Sequence, residues 1–347
     1  MNQKNASSIN KITINEVAEL AGVSTATVSR VLSDKGLVSD ELRTKVKKAI
    51  EQSNYRPNRA ARNLRAGTVQ RIGAIFSDIS NPFFTSMLAG IEGALKEAGY
   101  VLIIGNTNED SKVEQQQFEA FIDEGVAGII LASSIQSLSQ YKVLIESGVP
   151  LIAIDRVIKG LKVDTVAINN FDAAKDATQY LLSLGHKKIA YIGGPEHIST
   201  AKLRADGYRR AMKEVGGYPS IVVDGGFKQS GGFKAVEQLF ETTDRPSAIL
   251  VGNNVMTLGA LEAIHKFGVK IPGDIALVGF DDMPWATSLE PPLTVVAQPT
   301  YEMGEIAAKL LLDRIKLPND PIKEVLLETK LIIRESCGGL IKTGEVN

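Results

Sequence analysis

An internal repeat with an offset of 117 residues limits the folds open to this chain more than any other feature of its sequence. The first copy begins with IGAI at residues 72–75 and the second with IAYI at residues 189–192. Gly90 and Gly207 stand 18 residues after the first isoleucine of each copy, and each leads into an amphipathic segment that ends in glycine. A repeat of this kind indicates two structurally equivalent units.

Both copies show the pattern of an α/β fold. A buried strand, a polar loop, an amphipathic helix and a second strand follow one another, and further alternation continues around 128–131 and 247–251. This order predicts two doubly wound subdomains with parallel sheets. Ligands of such sheets bind at the carboxyl ends of the strands, so two facing subdomains form a binding cleft there.

The charge of the chain is unevenly distributed. Residues 1–66 hold 12 Lys and Arg against 6 Asp and Glu, a net charge of +6, whereas the rest carries −7 in a chain whose total is −1. This asymmetry favours a nucleic-acid-binding module joined to an acidic body. A merely solvated basic surface is the alternative, and motifs must decide between them.

Helix signals near the N-terminus predict a helix-turn-helix. Thr13 and Glu16 form a capping box, and Gly22 ends the helix that they begin. Ser24 then caps a second helix over 25–32, and Ser39 caps a third. The glycine turn between the first two helices is tight enough for the motif.

Small polar side chains and one long cation near the start of the second helix suit the major groove of DNA. Thr25, Ala26, Ser29 and Arg30 point away from the apolar face, and Arg30 can donate two hydrogen bonds to guanine or clamp a phosphate. The basic segment 55–67 is too poor in apolar residues for a stable isolated helix. It is predicted to fold on DNA, and a flexible basic linker is the alternative.

The run from Ile14 to Leu32, followed by Tyr55-Arg56-Pro57-Asn58, resembles the headpiece of the LacI/GalR family of transcription regulators. The resemblance implies base reading by the second helix and a hinge helix over 58–65, with Leu64 as a wedge in the minor groove. The DNA-binding residues that we infer are Thr13, Ser24, Thr25, Ala26, Thr27, Ser29, Arg30, Ser39, Tyr55, Asn58, Arg59, Arg62 and Leu64.

The same resemblance extends through the body and implies a periplasmic-binding-protein-like domain whose chain crosses between the subdomains three times. We expect a headpiece over 1–57, a hinge over 58–68 and an effector-binding and dimerisation domain over 69–347. Within that domain the N-terminal subdomain should take about 69–168 and 299–329, and the C-terminal subdomain about 169–298 and 330–340.

Polar and aromatic residues interrupt the predicted strand ends and give candidate effector contacts. An aromatic ring stacks on the apolar face of a sugar, while forked polar groups take its hydroxyls. Matched to the family pattern, the residues implied to contact a sugar-like effector are Phe83, Phe84, Asp155, Arg204, Phe227, Asn254 and Gln298.

One departure from the family pattern bears on the effector. The family commonly carries Asn-Asp where this chain has Asn253-Asn254, and replacing a carboxylate by an amide removes repulsion toward an anion. Arg156, Lys202, Arg204 and Lys228 are candidates for the same cleft, which favours a sugar acid or a phosphorylated sugar. A neutral saccharide held through the amide is the alternative.

Enzyme motifs of doubly wound folds are missing from the sequence, including the phosphate-binding glycine loops and the G-x-S-x-G elbow. None of the three histidines has a metal-ligating neighbour three or four residues further along the chain, and Cys337 is the single cysteine. We therefore predict no catalytic residue, metal or cofactor. An enzyme, or a sugar receptor without a role on DNA, stays open as an alternative, although neither explains the basic N-terminal segment.

Taken together, these features predict an allosteric repressor. One recognition helix reads few base pairs, so a dimer on a palindromic operator is expected. No leucine heptad follows residues 337–339, which favours a dimer over a tetramer, and the polar N-terminus predicts a cytoplasmic protein without a membrane partner. A ligand in the cleft should change the angle between the subdomains, and it either releases the operator or is required for binding it.

Overall fold

The computed structural model describes residues 14–33, 38–53, 71–134 and 137–339. The chain separates into two compact units, residues 1–68 and residues 69–347. Within these described ranges, no helix is both long enough and apolar enough to cross a membrane.

The first unit contains helices Ile14–Ala21, Thr25–Ser33 and Asp40–Ser53. Val17, Val28 and Val46, one from each helix, are fully buried against each other. Gly22 turns the chain between the first two helices with a left-handed φ of 62°, which glycine adopts without strain. Val23 follows, donates its backbone N–H to the carbonyl of Ala18 at 3.0 Å and packs beneath the turn. The predicted helix-turn-helix is confirmed.

The second unit contains two six-stranded sheets. In the first sheet all strands are parallel, in the order β11-β5-β4-β3-β1-β2. These strands are β1 Arg71–Phe76, β2 Val101–Asn106, β3 Gly128–Leu131, β4 Leu151–Ile154, β5 Asp164–Ile168 and β11 Glu324–Leu327. The helices of this N-terminal subdomain are Pro82–Glu97, Ser111–Asp123, Lys142–Ser147 and Thr300–Lys316, with a short 3-10 turn at Leu138–Tyr141.

The second sheet has the equivalent order β12-β10-β9-β8-β6-β7, and only β12 runs antiparallel to its neighbour. Its strands are β6 Ile189–Gly193, β7 Ile221–Asp224, β8 Ala248–Val251, β9 Ala276–Phe280, β10 Thr294–Ala297 and β12 Lys330–Ile332. The helices of this C-terminal subdomain are Asn170–Ser183, Ser199–Val215, Gln229–Glu241 and Asn254–Lys266, with 3-10 turns at Pro284–Ser288 and Glu335–Cys337.

The central strands are buried on both faces, which explains their continuous apolar sequences. All four residues of β3 (GIIL), β4 (LIAI) and β8 (AILV) are buried. Helices cover both faces of each sheet, and the resulting cores lie on either side of the sheets. The predicted pair of doubly wound subdomains is therefore confirmed.

The two glycines that mark the repeat have the same structural role. A Cβ on Gly90 would lie 2.1 Å from the carbonyl oxygen of Tyr301, and one on Gly207 would lie 2.1 Å from that of Phe171. In each subdomain a helix from another part of the chain packs directly against this glycine. Any side chain at either position would push the two helices apart.

The chain passes between the subdomains after β5, after β10 and after β11, which makes three crossings, as the resemblance implies. Each subdomain is consequently built from separate stretches of sequence. The carboxyl ends of the parallel strands of both sheets face each other across a cleft, and the crossings connect its two sides.

Candidate functional site

The second helix of the first unit presents a small polar surface. Thr25, Ala26, Ser29 and Arg30 are exposed, whereas Val28 between them is fully buried. This division places the predicted base-reading side chains on the outer face of the helix and fits docking in a major groove.

Two serines fix the starts of the helices, as predicted. The hydroxyl of Ser24 accepts the backbone N–H of Thr27 at 3.2 Å and lies 2.9 Å from the Thr27 hydroxyl, so both side chains are held at the helix N-terminus. The hydroxyl of Ser39 accepts the N–H of Leu42 at 3.5 Å. The other predicted DNA contacts, Thr13, Tyr55, Asn58, Arg59, Arg62 and Leu64, and the hinge over 58–68, lie outside the described residues.

A cleft of about 700 Å³ lies between the two subdomains of the second unit. Its lining residues follow the carboxyl ends of strands in both sheets, as expected for doubly wound domains. Six of the seven residues predicted to contact an effector line it, namely Phe83, Phe84, Asp155, Arg204, Phe227 and Gln298.

Unusual backbone geometry is concentrated in this cleft. Five residues other than glycine have a left-handed φ in the described ranges, and all five line the cleft: Asn108, Glu109, Asp155, Phe227 and Asp281. Such conformations are costly and collect at functional sites, where the surrounding structure holds them.

Asp155 and Asp281 are equivalent residues of the two subdomains. Asp155 follows β4 with a φ of 65° and Asp281 follows β9 with a φ of 73°. Each donates its backbone N–H to the next strand, to the carbonyl of Val166 or Val296, at 2.9 Å. The sharp turn after the strand directs both carboxylates toward the cleft from opposite sides.

Both carboxylates are almost completely buried, and burial raises their pKa values. The pKa of Asp155 rises to about 6, although Arg156 and Arg204 partly oppose the shift. Burial also raises the pKa of Asp281, against the charge of Arg204 and hydrogen bonds from Asn254 and Gln298. The pKa of Asp155 is lowered by the charge of Arg204 and raised by that of Asp281, and both of these residues belong to the other subdomain, so charges from both sides of the cleft meet at this carboxylate.

Arg204 is held rigidly in the C-terminal subdomain. Its Nε donates to Asn170 Oδ1 at 2.7 Å and its Nη1 donates to the carbonyl of Gly252 at 2.6 Å. The guanidinium lies 4.3 Å above the ring of Phe280, a cation–π contact that fixes its plane. Arg204 thus presents a preorganised positive charge between Asp155 and Asp281.

Arg156 is held in the N-terminal subdomain by a bidentate interaction with a carboxylate. Its Nη1 and Nη2 donate to the two carboxylate oxygens of Glu109 at 2.8 and 2.6 Å, and the same nitrogens reach the carbonyl of Ser133 and the hydroxyl of Ser77 at 3.1 and 3.3 Å. The Nε lies 3.7 Å from Asp155 Oδ2. This guanidinium is already committed within the protein.

Aromatic rings form apolar walls on both sides. Phe83 and Phe84 are in edge contact with centroids 5.0 Å apart, at the start of helix Pro82–Glu97. On the opposite side Phe227 lies against the backbone of Gly194, where a Cβ would approach the ring to 2.4 Å. A ring on each subdomain suits a sugar with two apolar faces.

Asn254 does not line the cleft, which differs from the expectation for that residue. Its side-chain amide donates to Asn81 Oδ1 at 2.7 Å, and its backbone N–H donates to Asp281 Oδ2 at 3.1 Å. The neighbouring Asn253 lines the cleft instead. Lys202 is not among the residues that line the cleft either, and its ammonium group pairs with Asp206, one helical turn away, at 2.7 Å.

Three buried polar atoms in the cleft have no hydrogen-bond partner among the described residues: Asp155 Oδ1, Arg156 Nε and Gln298 Oε1. The nitrogen of the Gln298 side-chain amide, Nε2, donates to Asp281 Oδ1 at 2.6 Å, which fixes the direction of the amide oxygen. Buried polar groups without partners are costly and rare, so atoms of this kind point to a ligand that completes them.

Sequence reasoning missed several lining residues. Asp281 carried a usable signal, because it ends a strand in the same way as Asp155 does in the other repeat. Asn81 carried a similar signal, because it belongs to the polar run after β1, whereas Glu109 and His197 carried none and only the fold brings them to the cleft.

Two family descriptions match the chain. Residues 13–58 match bacterial regulatory proteins of the lacI family, and residues 69–335 match the periplasmic binding proteins and sugar binding domain of the LacI family. The second match alone covers well over half of the chain.

Similar full-length proteins and solved structures agree with these matches. The ribose operon repressor of Haemophilus influenzae is 34% identical over 330 residues, which cover 94% of this chain and 99% of that protein. The lac repressor dimer bound to operator and the anti-inducer ONPF has a TM-score of 0.84 at 26% identity, covering 94% of this chain and 99% of the other. A LacI family regulator from Enterococcus faecium with bound ribose has a TM-score of 0.70 at 29% identity, covering 77% and 98%.

Proposed function

The chain belongs to the LacI family of bacterial transcription regulators, and from this premise we propose that it represses transcription as a dimer on a palindromic operator, controlled by a neutral, pentose-sized sugar. Family membership makes it a DNA-binding regulator with a sugar-binding domain and not an enzyme. A role on DNA supports the proposal of a cytoplasmic location.

The observation that carries the choice of a neutral sugar is the set of unpartnered atoms in the cleft. Asp155 Oδ1 and Gln298 Oε1 are acceptors, and Arg156 Nε is a donor. A sugar hydroxyl both donates and accepts, so neighbouring hydroxyls of one ring satisfy such a mixed set. The phosphate or carboxylate group of an anionic sugar offers only acceptors, so these two protein acceptors can be satisfied only by sugar hydroxyls.

The charges of the cleft support the neutral alternative over an anionic effector. Arg156 is neutralised by Glu109, and Arg204 stands between the carboxylates of Asp155 and Asp281. Lys228 lines the cleft as well, but it is exposed at the rim. An anion entering this site would meet the buried carboxylates of Asp155 and Asp281, and of the two guanidiniums that line the cleft only that of Arg204 is not paired with Glu109.

The relatives supply the size of the sugar. The Haemophilus influenzae relative is a ribose operon repressor, and the Enterococcus faecium structure holds ribose on the same fold. Phe83 and Phe227 provide the two aromatic faces that a small ring needs. D-ribose is therefore the first effector to test.

Titration calorimetry on the full-length protein tests the effector. D-ribose is expected to bind with a dissociation constant in the micromolar range or tighter, whereas ribonate and ribose 5-phosphate bind at least about tenfold more weakly. Tight binding of ribonate or ribose 5-phosphate with no response to neutral sugars would overturn this assignment. Repeating the titration with operator DNA present gives the sign of the coupling, because the two affinities change by the same factor.

Selection of duplexes from a random pool tests the operator. We expect enrichment of a palindrome whose half-sites lie about one helical turn apart, with an affinity that falls steeply as salt rises. Light scattering should show a dimer. A sugar-binding receptor without a role on DNA would enrich no sequence at low salt, with or without ribose.

A further inference from the structure

We propose that Glu109 sets the selectivity of the cleft for a neutral sugar over its phosphorylated form, by occupying the guanidinium of Arg156. This inference rests on the proposed sugar-binding role of the cleft. Glu109 lies in the loop after β2, lines the cleft and pairs with Arg156, and we place its effect on specificity in positioning and neutralising that arginine.

A count of the donors on Arg156 shows what a ligand can obtain from it. A guanidinium has five N–H groups. Glu109 takes two of them, the carbonyl of Ser133 takes one and the hydroxyl of Ser77 takes one. The Nε–H is left, buried and without a hydrogen-bond partner in the described part of the chain.

One remaining N–H suits a hydroxyl and not an oxyanion. Phosphates and carboxylates bind arginine best through two parallel hydrogen bonds from its terminal nitrogens. Both terminal nitrogens of Arg156 already face the carboxylate of Glu109, at 2.6 and 2.8 Å. An anionic ligand must therefore displace Glu109 before it can use this arginine.

Displacing Glu109 is unfavourable because other carboxylates surround the position. Burial would raise the pKa of Glu109, yet the hydrogen bond and charge of Arg156 hold it below its usual value, so the group stays ionised. Asp155 and Asp281 already occupy the floor of the cleft with raised pKa values. An incoming anion would add its own negative charge to that environment and leave the displaced carboxylate without its partner.

The backbone holds Glu109 in place. Asn108 and Glu109 have successive left-handed φ values of 51° and 61°, and Asp110 immediately caps helix Ser111–Asp123 by accepting the N–H of Lys112 at 2.8 Å. Glycine adopts such a φ without strain. Glu109→Gly therefore removes the carboxylate while relieving the backbone, and Glu109→Gln removes the charge while keeping the side-chain length.

The test compares wild-type protein with Glu109→Gln and Glu109→Gly by calorimetry, using D-ribose, D-ribose 5-phosphate and inorganic phosphate as probes. Removing the competing carboxylate should reduce the preference for ribose over ribose 5-phosphate by about 10- to 100-fold, chiefly through tighter binding of the phosphate ester. Glu124→Gln is the matched control, because Glu124 pairs with Arg71 at 3.0 Å on the surface and its loss changes the net charge equally.

Inorganic phosphate separates this inference from the choice of ribose. It should raise the Tm of both Glu109 variants and leave the Tm of the wild type and of Glu124→Gln unchanged, a result that a purely structural role would not produce. If the wild type ignores ribose while the variants gain phosphate binding, the effector assignment fails and the role of Glu109 stands. If neither variant gains affinity for ribose 5-phosphate or phosphate, the role of Glu109 is wrong, whatever ribose does.

Discussion

The side-chain amide of Asn254 donates a 2.7 Å hydrogen bond to Asn81 Oδ1, and the two residues belong to different subdomains. Asn81 also accepts the N–H of Phe83 at 3.0 Å as the cap of helix Pro82–Glu97, so its oxygen cannot turn away without uncapping the helix. The bond therefore joins the start of one subdomain's helix to the start of the other's.

Asn254→Asp should disfavour this arrangement of the cleft. The carboxylate would replace the donor by an acceptor and face the fixed oxygen of Asn81 in a buried setting. The cost is about 1–3 kcal/mol, or about 5- to 150-fold in ribose affinity. Calorimetry measures the loss.

Asn254→Ala is the control for this change, since it removes the donor without adding a charge. It should weaken ribose binding less than Asn254→Asp does. Equal affinities for the wild type and Asn254→Asp would show that the bond between the subdomains has no part in the ligand-bound state.

Ribose affinity should rise with pH until Asp155 is fully ionised. The unpartnered Oδ1 accepts a sugar hydroxyl best as a carboxylate, so binding lowers the raised pKa of about 6 and releases a proton. Calorimetric titrations with ribose between about pH 5 and about pH 8, repeated in buffers of different ionisation enthalpy, measure the number of protons that are released on binding. Asp155→Asn should bind more weakly and show a flatter profile; an unchanged pH dependence in this variant would assign the proton to another group.

The ligand-free protein should show the opposite trend in stability. Because the pKa of Asp155 is raised from 3.8 to about 6 on folding, the folded state holds the proton more tightly than the unfolded chain. Below the unfolded pKa of 3.8 this tighter proton binding stabilises the folded state by at most about 3 kcal/mol, and the stabilisation is lost as the pH rises through the folded pKa of about 6. Denaturant unfolding should therefore show Asp155→Asn gaining stability relative to the wild type across that window. A constant difference would contradict the shift.

Phe227→Ala should impair the effector response and leave DNA binding without effector intact. The ring supplies an apolar wall against the backbone of Gly194, and its loss should cost at least about tenfold in ribose affinity. Phe267→Ala is the matched control, because that ring is 46% exposed and outside the cleft. If both variants bound ribose equally well, Phe227 would not contact the sugar.

Arg30→Ala should relax the sequence preference of the headpiece. An arginine that reads guanine contributes about 1–3 kcal/mol of discrimination against other bases, whereas a phosphate contact contributes equally to all sequences. Competition between the selected operator and single-base variants measures this difference. Lys48→Ala, a loss of the same charge at an exposed position of the third helix, is the comparison. Unchanged discrimination in Arg30→Ala would remove its base-reading role.

Local rules predicted much of this structure from the sequence. Ser24 and Ser39 cap their helices, and Gly90 and Gly207 mark equivalent helix contacts, because each effect depends on a few neighbouring residues. Six of the seven residues predicted to contact an effector, from the ends of strands and the family pattern, line the cleft.

The remaining features depend on residues that are far apart in the chain. Glu109 meets Arg156 across 47 positions, and Asn81 meets Asn254 across 173. No periodicity or spacing encodes such pairs. The prediction of an anionic effector therefore treated Arg156 as a cation that is available to a ligand. Glu109 could be identified as the partner of Arg156 only from the fold, which places the loop after β2 beside the end of β4.

The three crossings of the chain also determine when the protein can be completed during synthesis. A ribosome that has just added Gln298 has made every strand of the second sheet except β12, but the first sheet still lacks β11 and helix Thr300–Lys316. The first sheet must therefore wait until residues 300–327 have been made before it has its outer strand. Nascent chains stalled in that interval should be the form of this protein most dependent on chaperones.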